Sequence, residues 1–330
     1  MLGHAAPMRQ RTDGSPPPPW AESRHRLHRC CADVSITHAL RTFVSADHEI
    51  LFASQKQQVS LAMIQKLIGT MVRMARSSVR KNAFGVRRLA VPYLRLLRHA
   101  KPGSLSLQGK TIEIVDPYWA INDFVEIFWD EIYHFKPRRD RPVILDCGSN
   151  VGLSVIYFKL AYPGSQVTAF EPDPRIFGIM KRNIERFALN DVMAINKAVW
   201  IDESRMTFLP DGGVAGRLVS ASTAETVPVE TVRLADYLQQ PVDLLKLDIE
   251  GAEYDVLRNC REYLKNVDHL FVEFHGDPHQ KQNLQDVLSL LTDSGFRYYL
   301  LEARRERRPL DFDWRWQFYD VQMNIFAVRE

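Results

Sequence analysis

The chain has 330 residues, of which 45% are hydrophobic and 25% charged, a balance that fills a globular core and excludes a wholly disordered or fibrous chain. A net charge of +3 hides an asymmetry, since residues 1–140 carry 21 Lys and Arg against 12 Asp and Glu while the remainder carries 22 against 28; the two parts suit different partners. Cys30, Cys31, Cys147 and Cys260 form no C-x-x-C pair, and no run of about 18 apolar residues occurs, so a cysteine-based zinc site and a membrane-spanning helix are excluded and a soluble, unsecreted, cytoplasmic protein is expected.

In chain order, residues 1–46 hold the Pro16 to Pro19 run among Arg- and His-rich sequence without periodicity, and are expected to be disordered. Residues 47–101 form a basic extension. No acidic residue occurs from Leu51 to Ile112, whereas Leu61, Ile64, Leu67, Ile68, Met71, Val72 and Ala75 follow helical spacing, which predicts a basic amphipathic helix. That helix would either pack on the following domain with a solvated basic face or meet a membrane surface or an acidic partner through residues 51–101. Residues 102–141 are a lead-in segment, with a hairpin at 105–114 around Gln108 and Gly109 and a helix at 122–133.

From 142 to 330 the pattern alternates. Strands are predicted at 142–146, 166–171, 192–198, 206–209, 244–248, 269–274, 296–302 and 323–328, and helices at 153–160, 174–187, 233–237, 252–257 and 280–294. Strands separated by helices imply an α/β, doubly wound, mostly parallel sheet covered on both faces. The last two strands, joined by a loop, would pair antiparallel.

The stretch from Val143 to Val155 reads as strand, glycine turn and helix, the nucleotide-binding corner of such a sheet. Asn150 stands where a dinucleotide fingerprint has its second glycine, the position at which backbone approaches a pyrophosphate. A ligand without a pyrophosphate is implied. Glu171 closes the next strand about 20 residues on, where its two oxygens would accept both ribose hydroxyls. Pro172 keeps Glu171 extended, and Pro174 suits a first helical turn. Acid or His also closes other strands, as Asp146, Asp248 with Glu250, and Glu273 with His275. Acidic strand ends complement a cationic ligand and repel a phosphate-rich one. S-adenosylmethionine, a sulfonium nucleoside, meets both conditions.

The runs Asp146-Cys147-Gly148-Ser149-Asn150-Val151-Gly152, Phe170-Glu171-Pro172-Asp173-Pro174, Leu245-Lys246-Leu247-Asp248-Ile249-Glu250-Gly251-Ala252-Glu253 and Glu273-Phe274-His275 resemble the ordered motifs of FkbM-type S-adenosylmethionine-dependent methyltransferases. The resemblance spans roughly residues 118–328, and Lys-x-Asp-x-Glu-Gly-Ala-Glu is its most distinctive piece. It implies a seven-stranded class I methyltransferase fold, Rossmann-like, acting on a hydroxyl of a sugar, glycolipid or secondary metabolite. Residues 1–100 lie outside it.

On this reading Asp146, Gly148, Ser149, Asn150, Gly152, Glu171 and Asp248 bind the cofactor, and Asn196 and Ala198, near the end of the third strand, read the adenine edge. A hydroxyl is a poor nucleophile and needs help to lose its proton. His275 is the candidate base, oriented by Glu273 or Glu250; Asp248 and Glu250 would share a side if their strand continues. A divalent metal on Asp248, Glu250 and Glu273 is the alternative, not favoured for want of a full oxygen ligand set. The loop at 210–216 with 220–223 could border the acceptor. A small-molecule or carbohydrate acceptor is expected and nucleic acid is not, because the basic segment lacks interleaved aromatics. The rivals are a nicotinamide-dependent dehydrogenase, a nucleic-acid methyltransferase using the basic extension, and a catalytically silent membrane-surface or scaffold protein.

Overall fold

A computed structural model of the chain describes residues 103–107, 110–128, 130–210, 216–219, 225–303 and 319–329. The predicted disordered and basic segments before residue 102 lie outside them, as do 211–215 and 220–223 of the proposed acceptor loop. No helix among the described residues is long and apolar enough to cross a membrane.

The described chain opens with a hairpin of β1 (Gly103–Leu107) and β2 (Lys110–Ile114). Helix α1 follows at Pro117–Phe128, earlier than the predicted 122–133. Its start is set by Asp116, whose Oδ1 accepts from the backbone N–H of Tyr118 (2.7 Å) and Trp119 (3.1 Å), with Pro117 at the first position where a missing N–H costs nothing. Tyr133, the last residue of the expected helix, instead lies beyond it and is buried, as is Phe135.

The core elements then alternate as β3 (Val143–Cys147), α2 (Leu153–Ala161), β4 (Gln166–Phe170), α3 (Pro174–Phe187) and β5 (Val192–Ile195). Helix α3 shows why such helices dock: Ile176, Ile179, Met180 and Phe187 fall on one face and are buried. Asp173 caps its N-terminus through Arg175 N–H (2.7 Å) and Ile176 N–H (3.2 Å). Next come β6 (Ala198–Trp200), β7 (Arg205–Leu209), β8 (Arg217–Val219), β9 (Val227–Arg233) and α4 (Leu234–Tyr237). The chain ends with β10 (Val242–Leu247), α5 (Glu253–Cys260), a 3-10 turn at Arg261–Asn266, β11 (Val267–His275), α6 (Leu284–Asp293), β12 (Phe296–Glu302) and β13 (Gln322–Arg329).

Seven strands form one sheet in the order β12-β13-β11-β10-β3-β4-β5. Neighbours from β5 to β11 are parallel, and β13 runs antiparallel to both β11 and β12. The antiparallel pairing of the last two strands is as expected. Strand order reverses between β3 and β10, so the crevice at their carboxyl ends is the ligand position of a doubly wound sheet. A second sheet runs β6-β9-β7-β8.

That second sheet corrects the predicted single strand at 192–198. Asn196 interrupts it, its amide donating to the carbonyls of Glu171 (2.8 Å) and Pro172 (3.0 Å). Ile195 therefore closes a strand of the large sheet and Ala198 opens one of the small sheet. Strand β9 carries Pro228, a residue that argues against a strand in sequence and is tolerated here opposite Thr207.

At the amino ends of the sheet, charge is neutralised pairwise. Fully buried Asp243 accepts from Arg139 Nη1 (2.7 Å) and Val143 N–H (2.8 Å), and Asp268 pairs with Arg138 at 3.1 Å. The Arg329 guanidinium donates to the carbonyls of Val267, Ser294 and Leu264.

Candidate active site at the carboxyl ends of the strands

The glycine corner is built from conformations that few side chains tolerate. Gly148, Asn150 and Gly152 have φ of 84°, 47° and 88°, and a Cβ on Gly148 would collide with the Asp248 carbonyl oxygen. Asn150 is suited to the left-handed region because its Oδ1 accepts from the N–H of Val151 at 2.7 Å. The N–H groups of Gly148 and Ser149 both donate to the Phe170 carbonyl, which ties the turn to β4.

Four residues expected at the cofactor site are structural parts of this corner. Ser149 is buried and its hydroxyl donates to the Asp146 carbonyl at 2.8 Å. Gly152 packs against Met180. Asp146 is fully buried and accepts from the Ser154 hydroxyl at 2.5 Å. Asn196, as described, is spent on two carbonyls. In contrast Gly148, Asn150, Glu171, Ala198, Asp248 and Glu250 all line one pocket. Glu171 is held from both sides, Oε2 accepting from Asn150 N–H (3.0 Å) and Oε1 from Asp173 N–H (2.9 Å). Burial pushes its pKa up to about 8, helped by the nearby Asp173 charge.

Lys246 is the residue that sequence reading passed over. It stands opposite Asp146 in the β10–β3 ladder, almost wholly buried. Its Nζ lies 3.3 Å from Asp146 Oδ1 and 3.2 Å from Asp248 Oδ2, and donates to the Gly148 carbonyl at 2.9 Å. Burial opposes its charge, but Asp248 and Asp146 override that and hold its pKa well above the ordinary value. A single lysine in an apolar strand was the signal: a buried cation requires anions within reach.

Beyond Asp248 the alternation expected of a continuing strand fails. Strand β10 stops at Leu247, and Glu250 and Gly251 turn with φ of 57° and 103°. Glu250 is therefore delivered by a left-handed turn, a conformation that costs of order 1–3 kcal/mol in a non-glycine residue and marks functional segments. Glu253 secures the turn. Its buried carboxylate accepts from the N–H of Ile249 (3.2 Å) and Gly251 (3.1 Å), satisfying donors at the start of α5.

The same Glu253 corrects the expected partner of His275. Its Oε1 lies 3.0 Å from His275 Nδ1, whereas Nε2 is 3.5 Å from Glu250 Oε2 and 3.7 Å from Glu273 Oε1. The Tyr319 hydroxyl donates to Glu250 Oε2 at 2.7 Å, and its ring centroid sits 4.7 Å from that of His275. Burial disfavours charge on His275, yet Glu253, Glu250 and Glu273 together push its pKa up to about 10. Glu253, not Glu250 or Glu273, thus holds the ring, and Nε2 is left facing Glu250 and Glu273.

Carboxylates accumulate here. Burial and the Asp248 charge push Glu273 up to about 8, and burial pushes Glu250 up to about 7. Asp123 on α1, absent from the expected site, is raised to about 8 by burial and by Glu126, Asp248 and Glu250. The sequence carried no local mark of its role, because α1 comes over the strand ends only in the tertiary fold.

The ordered motifs and the sheet agree with the comparisons. The model of the methyltransferase FkbM domain matches residues 146–298. Methyltransferase 1 of Beauveria bassiana (strain ARSEF 2860) is 31% identical over 198 residues, covering 52% of this chain and 78% of that protein. The chain belongs to the FkbM methyltransferase family. Within the FkbM family, 31-O-demethyl-FK506 methyltransferase FkbM of Streptomyces tacrolimicus is 28% identical over 193 residues, covering 47% of this chain and 74% of the relative. Hexuronic acid methyltransferase AglP of Haloferax volcanii is 24% identical over 206 residues, covering 59% and 80%. Both the glycine corner and the Asp248–Glu253 turn fall inside the matched FkbM domain.

Proposed function

We propose that this FkbM-family chain transfers a methyl group from S-adenosylmethionine to a hydroxyl oxygen of a small-molecule or carbohydrate acceptor. The observation that carries the reading is one pocket that Gly148, Asn150 and Glu171 line together with Asp248 and Glu250. A seat for a nucleoside thus opens directly onto a group of carboxylates.

The lining fits such a ligand. Gly148 presents bare backbone where a Cβ has no room, Glu171 offers oxygens whose orientation two N–H groups hold, and Asp248 provides negative charge, anchored by Lys246. When bound, S-adenosylmethionine supplies an electrophilic methyl group on a sulfonium, so the protein's task is alignment and removal of the acceptor proton. Glu273 is the proton acceptor in this reading. Its carboxylate is half-buried, accepts no hydrogen bond from the described residues, and lies on the strand whose end carries His275. His275, held by Glu253, positions the carboxylates. The acceptor class draws support from the two relatives named for 31-O-demethyl-FK506 and for a hexuronic acid.

Titration calorimetry of the full chain with S-adenosylmethionine and with a nicotinamide dinucleotide tests the donor. Binding of the first alone is expected, and binding of the second alone overturns the reading. Incubation with isotopically methyl-labelled donor and a panel of polyhydroxylated compounds, read by mass spectrometry, tests the acceptor. Label found only in polynucleotide, with steep salt dependence, would replace the acceptor class.

A further inference from the structure

We infer that Asp248, Glu250 and His275 form a binding site for one divalent cation of the Mn²⁺ or Mg²⁺ type where Asp248 and Glu250 line the pocket. The inference deepens the methyl-transfer reading and rests on it for its chemical purpose, though not for its geometry.

One ligand atom from each of the three residues lies within 4.8 Å of the others. That span is about twice a metal–oxygen bond of roughly 2.1–2.4 Å, so one ion can touch all three. The separation of His275 Nε2 from Glu250 Oε2, 3.5 Å, is long for a hydrogen bond and suits two atoms sharing an ion. The His275 ring is almost wholly buried and aimed by its other nitrogen, Nδ1 being held by the Glu253 carboxylate at 3.0 Å. A carboxylate on the far nitrogen is the arrangement that orients metal-ligating imidazoles. An independent observation concerns Asn324. It stands directly opposite Glu273 in the β11–β13 ladder, is 4% exposed, and its Oδ1 has no hydrogen-bond partner among the described residues. A buried amide oxygen without a donor is costly, and a cation or its water shell beside Glu273 would satisfy it.

Carboxylate oxygens with one imidazole suit Mn²⁺ and Mg²⁺ better than a soft metal. Three protein ligands leave coordination positions for the acceptor hydroxyl. There the ion would polarise the O–H bond, which breaks with its electron pair remaining on oxygen and its proton passing to Glu273.

The test uses the full chain stripped with chelator and dialysed. Mn²⁺ titration, read by electron paramagnetic resonance of the free ion, is expected to show one site per chain, with Mg²⁺ competing. Glu250→Gln and His275→Gln, each checked for folding by circular dichroism, should weaken that site at least tenfold; the two variants guard against either failing to fold. Absence of a stoichiometric site in the wild type, or Mn²⁺ affinity unchanged in a folded variant, overturns the proposal. Donor binding by calorimetry in excess chelator is read in parallel. Its persistence without Mn²⁺ binding rejects the cation and leaves the methyl-transfer reading standing, whereas Mn²⁺ binding without donor binding does the reverse.

Discussion

The two ends of the large sheet handle buried charge in opposite ways. At the amino ends, Asp243 and Asp268 meet Arg139 and Arg138 at 2.7 and 3.1 Å, and Asp243 also takes a backbone N–H. At the carboxyl ends, Asp123, Asp146, Asp248, Glu250, Glu253 and Glu273 crowd together, with Lys246 between Asp146 and Asp248 and the His275 ring among Glu250, Glu253 and Glu273. A fold gains nothing from crowding like charges, since each raises its neighbours' pKa. Pairing at one end serves stability, and the excess at the other is what a site for cationic ligands requires.

The largest effect that would break this contrast belongs to Glu273. Glu273→Gln should lower kcat by about 10²–10⁴-fold, the usual range for a general base, while donor affinity measured by calorimetry stays the same. A kcat within a factor of about three of the wild type would remove Glu273 from the proton transfer. At the opposite end, Asp243→Ala should cost about 3 kcal/mol of unfolding free energy in urea, through lost charge-assisted bonds to Arg139 and Val143, and leave the turnover of the folded fraction unchanged. Loss of activity without loss of stability there would erase the distinction between the two ends.

Gly148→Ala sharpens the boundary between seat and scaffold. With φ of 84° and the Asp248 carbonyl in the way, the variant should lose about 2 kcal/mol of stability and bind donor more weakly; full donor affinity in the variant would mean that the corner is not the seat. A different kind of effect is expected from pH. The Glu171 carboxyl, about 8 in the fold against an ordinary 4.5, holds its proton more tightly when folded. Its contribution to stability is thus complete below pH 4.5 and is lost as pH rises through 8. Wild type and Glu171→Gln should therefore diverge in urea midpoint between pH 5 and pH 8.5, with the variant gaining relative to the wild type, and parallel curves would show that Glu171 is not so buried.

Much of the fold was legible because its signals are local. The strands expected at 142–146, 166–171 and 244–248 fall within two residues of β3, β4 and β10 at each end, because a short apolar run with glycine or proline soon after it marks a strand before any contact is known. The split of 192–198 was not legible. Asn196 ends β5 by bonding carbonyls of another strand's exit, and nothing in residues 192–198 shows that partner. The early start of α1 could have been read, since Asp116-Pro117 is a helix-start signal. In the candidate site, the list of acids and His275 came from strand ends. Which acid touches which was hidden, because Glu253 reaches His275 across 22 residues and Asp123 arrives on a separate helix.

By itself the sequence determined the class of the protein: the alternation of strands and helices, the glycine corner with Asn150, and the motif from Lys246 to Glu253. These depend on backbone preference and on spacing along one segment. Only the tertiary structure decided the chemistry at the strand ends, where Lys246 takes Asp146 and Asp248 and where Glu253, rather than Glu250 or Glu273, holds His275. Electrostatic character is set by distances between segments far apart in the chain and by the burial that strengthens each interaction, and neither quantity exists until the chain has folded.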